Sequence, residues 1–126
     1  GVLIEPLNGR DVPGYFLLRL EAAEAIVRRI ARPELRIMFD CYHQQIEGGD
    51  LVKRFERCRD LVGHVQFAAV PSRAEPDEGE VAFERLLPLL RDAGYGGAFG
   101  AEYRPRAATE AGLGWMPELQ RRLGSD

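Results

Sequence analysis

The chain has 126 residues and a formal net charge of −3, with apolar and charged fractions that are ordinary for a globular protein. This length predicts one domain covering residues 1–126, and the acidic charge gives no electrostatic footprint for nucleic acid or an anionic membrane, so neither is an expected partner. No apolar run approaches the roughly 20 residues of a membrane span, no signal peptide is visible, and two cysteines make no disulfide framework, so we expect a cytoplasmic protein.

The hydrophobic pattern alternates between strand and helix along the chain. The predicted elements are a strand at 2–6, a helix at 16–30, a strand at 35–39, a helix at 50–61, a strand at 63–69, a helix at 82–93, a strand at 98–103 and a helix at 109–123. Pro88 lies inside the third helix and predicts either a kink or a late helix start. Four strand–helix units in succession predict an α/β fold with a parallel sheet.

An oxygen-bearing side chain stands at the end of each predicted strand. The gaps between these residues are about 35, 26 and 36 positions, each roughly one strand–helix unit. Because the carboxyl ends of parallel strands meet at one edge, three carboxylates and one amide there form an oxygen site for a divalent cation. Each residue alone also fits a loop position or a helix cap, but the shared position favours the metal site. The four residues are Glu5, Asp40, Gln66 and Glu102.

Three further side chains lie near these positions in the sequence. His43 fits either a substrate hydrogen-bond donor or a packed loop histidine. Arg73 fits either a bidentate clamp for a substrate carboxylate or a solvated loop arginine. His64 shares a sheet face with Gln66, where a core histidine is the simpler interpretation. No Gly-x-Ser-x-Gly, Cys-x-x-Cys or Walker motif is present, so nucleophilic serine or cysteine catalysis has no support.

Several motifs resemble the hydroxypyruvate isomerase family, a group of xylose-isomerase-like TIM barrels. They are Leu3-Ile4-Glu5-Pro6-Leu7-Asn8, Phe39-Asp40-Cys41-Tyr42-His43, Gly63-His64-Val65-Gln66, Arg73-Ala74-Glu75-Pro76, Gly100-Ala101-Glu102-Tyr103-Arg104-Pro105 and Thr109-Glu110-Ala111-Gly112-Leu113. The resemblance implies Mg²⁺ or Mn²⁺ as cofactor, with all four strand-end residues as ligands. It also implies Glu5 and Glu102 as catalytic proton donor and acceptor. His43 and Arg73 would bind the substrate.

Gln66 distinguishes two groups of proteins within the xylose-isomerase-like TIM barrels. Related sugar epimerases usually carry histidine as the third metal ligand, whereas the hydroxypyruvate isomerase group carries glutamine. The resemblance therefore implies an aldose–ketose isomerase that interconverts hydroxypyruvate and tartronate semialdehyde (2-hydroxy-3-oxopropanoate) by enediolate proton transfer, with a small 2-oxo or hydroxy acid as substrate. A 2-oxo-tetronate isomerase and a ketose 3-epimerase are the alternatives. One departure is Asp77-Glu78-Gly79-Glu80, where the family usually has Gly-Thr-Gly-Glu.

The family barrel has eight strands, and the resemblance identifies this chain with the C-terminal half of a TIM (β/α)8 barrel, strands 5–8. The chain begins at Gly1 and enters a strand at once, which indicates a piece of a longer protein or a processed product. Half a barrel would leave an apolar inner face exposed. We therefore expect a homo-oligomer or association with the missing half-barrel. A further hypothesis of a different class is an inactive half-barrel fragment or assembly module.

Overall fold

Four short strands form one parallel sheet in the computed structural model, which describes residues 1–124. The last two residues of the predicted domain lie outside this range. The strands are hydrogen-bonded side by side in chain order, so each connection crosses over to the neighbouring strand. They are β1 (Val2–Ile4), β2 (Leu35–Asp40), β3 (Val62–Phe67) and β4 (Phe99–Ala101). This order confirms the predicted α/β fold of four strand–helix units.

Helices occupy the crossovers between the strands. They are α1 (Leu20–Ile30), α2 (Cys41–Glu47), α3 (Leu51–Cys58), α4 (Phe83–Asp92) and α5 (Met116–Arg122), with 3₁₀ segments at Arg59–Leu61 and Thr109–Trp115. In α1 the buried residues recur at helical spacing, and the helix ends at Ala31, which adopts a left-handed conformation. None of the helices in residues 1–124 combines the length and the apolar character needed to cross a bilayer.

Several predicted boundaries differ from the structure. The helix predicted at 16–30 begins only at Leu20, and the Phe16 side chain is 90% exposed. The strand predicted at 98–103 is limited to the three residues of β4, and the helix predicted at 109–123 divides into a 3₁₀ segment and α5. The third predicted helix begins at Phe83 and continues through Pro88, so the late-start alternative is wrong.

The hydrophobic core lies between one face of the sheet and the helices. Residues that alternate along β2 and β3 point to this face and are buried, namely Ile37, Phe39, Val65 and Phe67. The ring of Phe39 meets the ring of Phe55 from α3 edge to face, with centroids 5.6 Å apart. Burial of these alternating apolar residues against the helices holds the strand ends in fixed positions.

The opposite face of the sheet is mixed in character, so the prediction of an apolar inner face is wrong. Met38, His64 and Gln66 are only partly buried there, and Leu3 is 41% exposed. Gly100 leaves room for a neighbour, since a Cβ at this position would lie 2.7 Å from the Nε2 atom of His64. Polar side chains therefore share this face with apolar ones, and His64 is a half-buried residue of the inner face.

Candidate functional site

The four predicted oxygen ligands lie at the same edge of the sheet. Glu5 follows β1 directly, Asp40 is the last residue of β2, and Glu102 follows β4 directly. Gln66 is one residue before the end of β3, paired in register with Asp40 on one side and Gly100 on the other. The parallel register thus brings three carboxylates and an amide to the carboxyl end of the sheet, as the sequence predicted.

The side chains of Glu5, Asp40 and His43 form a tight cluster at this edge. Their ligand atoms all lie within 4.8 Å of one another, a possible site for a metal ion. The Nε2 atom of His43 is 3.7 Å from Glu5 Oε1 and 3.9 Å from Asp40 Oδ2. These three atoms and Gln66 Oε1 are buried without a hydrogen-bond partner in the described part of the chain. Burying a polar atom without a partner costs free energy, so these four atoms are expected to bind a group from outside the described residues, such as a metal ion or a ligand.

A short helix that the sequence did not predict positions two members of this cluster. The other oxygen of Asp40, Oδ1, accepts the backbone N–H of Tyr42 at 2.8 Å and caps the first turn of α2. The capped turn leaves Asp40 Oδ2 directed to the cluster and places His43 three residues later on the same side of the helix. The segment after β2, for which the sequence predicted no helix or strand, is therefore a helix, and His43 lies in that helix and not in a loop.

The electrostatics of the cluster reflect burial and mutual repulsion. Burial, and then the charge of Asp40, raises the pKa of Glu5 to about 7. Burial also raises the pKa of Asp40 to about 6, although the backbone hydrogen bond from Tyr42 opposes the shift. Burial lowers the pKa of His43 to about 4, and the charge of Arg73 acts in the same direction. His43 is therefore neutral at pH 7, and its contacts with the two carboxylates are not ion pairs.

Glu102 and Arg73 lie at the open side of the cluster. The guanidinium of Arg73 contacts Glu102 Oε2 at 3.4 Å, and the Glu102 side chain is 53% exposed. Arg73 also stands over the ring of Tyr42, with Cζ 4.9 Å from the ring centroid. Its backbone adopts a left-handed conformation (φ 59°), which is strained for a residue with a side chain. The structure thus brings Arg73 to the site but pairs Glu102 with it, outside the tight cluster.

The loop that carries Arg73 is attached to the segment after β4. The Glu75 side chain is 2% exposed and accepts hydrogen bonds from the backbone N–H of Arg106. It also forms an ion pair with the Arg106 guanidinium at 3.0 Å. The same guanidinium contacts Asp77 at 3.5 Å and Glu78 at 2.6 Å. The two extra acids of the Asp77–Glu80 segment are therefore engaged by a cation of the neighbouring loop.

Asn8 is a site residue for which sequence reasoning assigned no role. Its side chain is fully buried, and its Nδ2 atom lies 2.8 Å from Nδ1 of His43. The signal that could have found it is a buried polar residue three positions after Glu5, in a loop that begins at a strand end.

The fold and the site together define an α/β protein of the TIM-barrel type, with a polar site at the carboxyl ends of its parallel strands. The sequence model of the xylose isomerase-like TIM barrel family matches residues 1–119, and the chain belongs to this family. The predicted barrel family is thereby confirmed, while the assignment to strands 5–8 stays a prediction.

Named relatives and a solved structure add detail. The chain is 49% identical over 115 residues to a 2-oxo-tetronate isomerase from Cupriavidus necator, a match covering 91% of this chain and 44% of that protein. It is 37% identical over 115 residues to hydroxypyruvate isomerase of Escherichia coli, covering 91% and 45% respectively. The crystal structure of AP endonuclease, family 2, from Brucella melitensis has a TM-score of 0.88 and 46% identity, covering 92% of this chain and 45% of that one. The chain spans less than half the length of these relatives.

Proposed function

We propose that this chain carries the catalytic residues of an isomerase that interconverts hydroxypyruvate and tartronate semialdehyde. The observation that carries the proposal is the cluster of buried oxygens at the strand ends, which have no hydrogen-bond partner among residues 1–124, with Arg73 at the open side of the cluster. Relatives named as hydroxypyruvate and 2-oxo-tetronate isomerases support the reaction class. Because the chain spans less than half of those relatives, the activity is proposed for the whole protein that contains it.

The donor set fits Mg²⁺ or Mn²⁺. Glu5, Asp40 and Gln66 each hold a buried oxygen with no hydrogen-bond partner among residues 1–124, and hard divalent cations prefer such oxygens. Glu102 would be the fourth ligand, since it follows β4 at the same edge of the sheet. When bound, the cation supplies a Lewis acid that polarises the carbonyl and hydroxyl oxygens of the substrate.

Proton transfer would be the work of the two glutamates. One carboxylate would remove the proton from the carbon that bears the hydroxyl group, and the other would return a proton to the neighbouring carbon. The hydroxyl oxygen would lose its proton as it becomes the new carbonyl oxygen, and the former carbonyl oxygen would gain one, so the reaction balances without an oxidant or reductant. Glu5 and Glu102 suit this division because they follow the two outer strands of the sheet, β1 and β4. Positioned groups of this kind contribute roughly 10²–10⁴-fold each.

Arg73 and His43 would bind the substrate. The Arg73 contact with Glu102 is a single one at 3.4 Å to a half-exposed carboxylate, so it is weak and can be exchanged for a substrate carboxylate. A guanidinium holds such a carboxylate through two parallel hydrogen bonds. His43 is neutral and directs Nε2 to the cluster, where it can contact a substrate oxygen.

A 2-oxo-tetronate is the second candidate substrate. The 49% identity to a protein named 2-oxo-tetronate isomerase favours it, and the same carboxylate clamp would serve a longer acid. Arg73 supports an acid over a neutral ketose, which weighs against the ketose 3-epimerase alternative. Side-by-side rates of the whole protein on hydroxypyruvate, a 2-oxo-tetronate and a ketohexose separate the three.

Deuterium incorporation from D₂O into product, with Mg²⁺ or Mn²⁺ present, tests the mechanism. We expect Glu5→Gln and Glu102→Gln each to abolish incorporation and turnover, while Glu110→Gln, at an exposed glutamate, leaves both intact. Full turnover in both site variants would show that the glutamate roles are wrong. The solution mass tests the expected association, because a stable, active, metal-binding monomer of these residues alone would contradict it.

A further inference from the structure

We infer that Asn8 is a positioning residue that fixes the tautomer of His43, so that Nε2 carries the ring proton and donates it into the site. Asn8 lies in the loop after β1, and its side chain is fully buried. The catalytic consequence rests on the proposed function, but the tautomer itself can be measured without it.

The side-chain amide of Asn8 has one consistent orientation. Its Oδ1 atom accepts the backbone N–H of Asp11 at 2.8 Å, and since a backbone N–H only donates, this atom must be the oxygen. Nδ2 therefore faces His43 Nδ1 at 2.8 Å and can only donate to it. The remaining N–H of the amide lies 3.3 Å from Asp11 Oδ2. Turning the amide over would place its NH₂ against the Asp11 N–H, donor against donor.

The orientation of the amide decides the state of the histidine ring. A neutral imidazole has one donor and one acceptor nitrogen, and here Nδ1 is the acceptor. The ring proton is therefore on Nε2, which lies 3.7 Å from Glu5 Oε1 and 3.9 Å from Asp40 Oδ2. Both distances exceed a normal hydrogen bond, so the proton points into the space between the carboxylates. A protonated Nε2 has no lone pair for a cation, which makes His43 a donor to substrate and not a metal ligand.

The loop that carries Asn8 is held against α2 at both ends of the helix. Near the start of α2, Tyr42, the residue before His43, donates its hydroxyl hydrogen to the carboxylate of Asp11 in this loop. Near its end, Glu47 accepts the backbone N–H of Gly9 at 2.7 Å. The Glu47 contact anchors the same loop without touching His43, so it offers a matched control for loop attachment alone.

The test is the protonation state of His43, read from ¹H–¹⁵N correlation spectra of full-length protein labelled in its histidine rings. His43→Gln assigns the signals. In the wild type we expect Nε2 protonated and Nδ1 bare at neutral pH. Asn8→Asp places an acceptor opposite Nδ1 and should bring a proton to that nitrogen, while Glu47→Ala should leave the ring as in the wild type.

A protonated Nδ1 in the wild type would overturn the inference, whether or not any variant folds. So would a bare Nδ1 in folded Asn8→Asp, or a change in Glu47→Ala as large as that in Asn8→Asp. Turnover tests the proposed function separately. We expect Asn8→Asp to lower kcat by roughly 10²–10³-fold with little change in KM, as for loss of one aligned donor. If the tautomer is as expected but the wild type turns over none of the acids, the proposed function fails and the role of Asn8 stands.

Discussion

Replacing Glu5 with glutamine should stabilise the metal-free protein at pH 8. Burial, followed by repulsion from Asp40 and Glu102, raises the pKa of Glu5 from 4.5 to about 7. Because the folded-state pKa lies above the unfolded value, ionising Glu5 costs stability, with no cost below about pH 4.5 and the full cost above about pH 7. The shift corresponds to roughly 3 kcal/mol at about 1.4 kcal/mol per pH unit. The Glu5 side chain is 28% exposed, so solvent screening reduces the gain to about 1–2 kcal/mol.

Urea denaturation in the presence of a chelator measures this gain. At pH 8 we expect Glu5→Gln to unfold with a free energy about 1–2 kcal/mol higher than the wild type and an unchanged m-value. At pH 5 most of the difference should vanish, because the folded wild type is then protonated at Glu5. Glu110→Gln, at an exposed position, is the control and should match the wild type at both pH values. A variant less stable than the wild type at pH 8, or a gain equal at both pH values, would refute the reasoning.

Three further changes test other parts of the structure. Gln66→Ala removes a proposed ligand and should weaken Mn²⁺ binding at least about tenfold in a calorimetric titration, where unchanged affinity would exclude Gln66 from the site. Arg73→Lys keeps the charge but loses the two-pronged contact, so KM for the acid substrate should rise about tenfold, and a rise for a ketohexose as well would argue against a carboxylate clamp. Gly79→Ala should lower the free energy of unfolding by about 2 kcal/mol or more, since Gly79 has φ +86° and its Cβ would lie 2.3 Å from the Val70 carbonyl oxygen. A Cβ at Gly96 would meet no atom of the described residues within 4 Å, so Gly96→Ala is the control and should be nearly neutral.

The sheet and its strand-end acids could be predicted because their signals are local. Each strand has one face against the helices, so Phe39 and Val65 had to be apolar, and the polar residue at the strand end stands out against them. The parallel connection then follows from the alternation of strand and helix, and with it the meeting of Glu5, Asp40 and Gln66 at one edge. The spacing of the apolar residues along the chain was enough to predict this arrangement of strands and helices.

The helix α2 could not be predicted because it is buried on several sides at once. Its first four residues, Cys41 to Gln44, are all buried, so they show no contrast between an apolar and a polar face. The predicted final helix, 109–123, was longer than the observed α5 for a different reason. Gly112 lies against Glu75, where a Cβ would be 2.5 Å from Oε1, and the chain there forms a 3₁₀ segment. Both differences arise from contacts with distant residues, which a local pattern does not contain.

The site divides into a fixed part and an adjustable part, and under the proposed function changes in the two parts should have different kinetic effects. Asp40 and His43 are about 1% exposed and are held by the cap of α2 and by Asn8. Glu102 and Arg73 are more exposed and share one weak ion pair, which water or substrate can replace at small cost. Under the proposed function, errors in the fixed part displace the ligand Asp40 and the hydrogen-bond donor His43 and should appear in kcat. Within the adjustable part, loss of Arg73 removes a contact made equally to the bound substrate and its transition state and should appear in KM. Loss of Glu102, a proposed proton-transfer group, should appear in kcat.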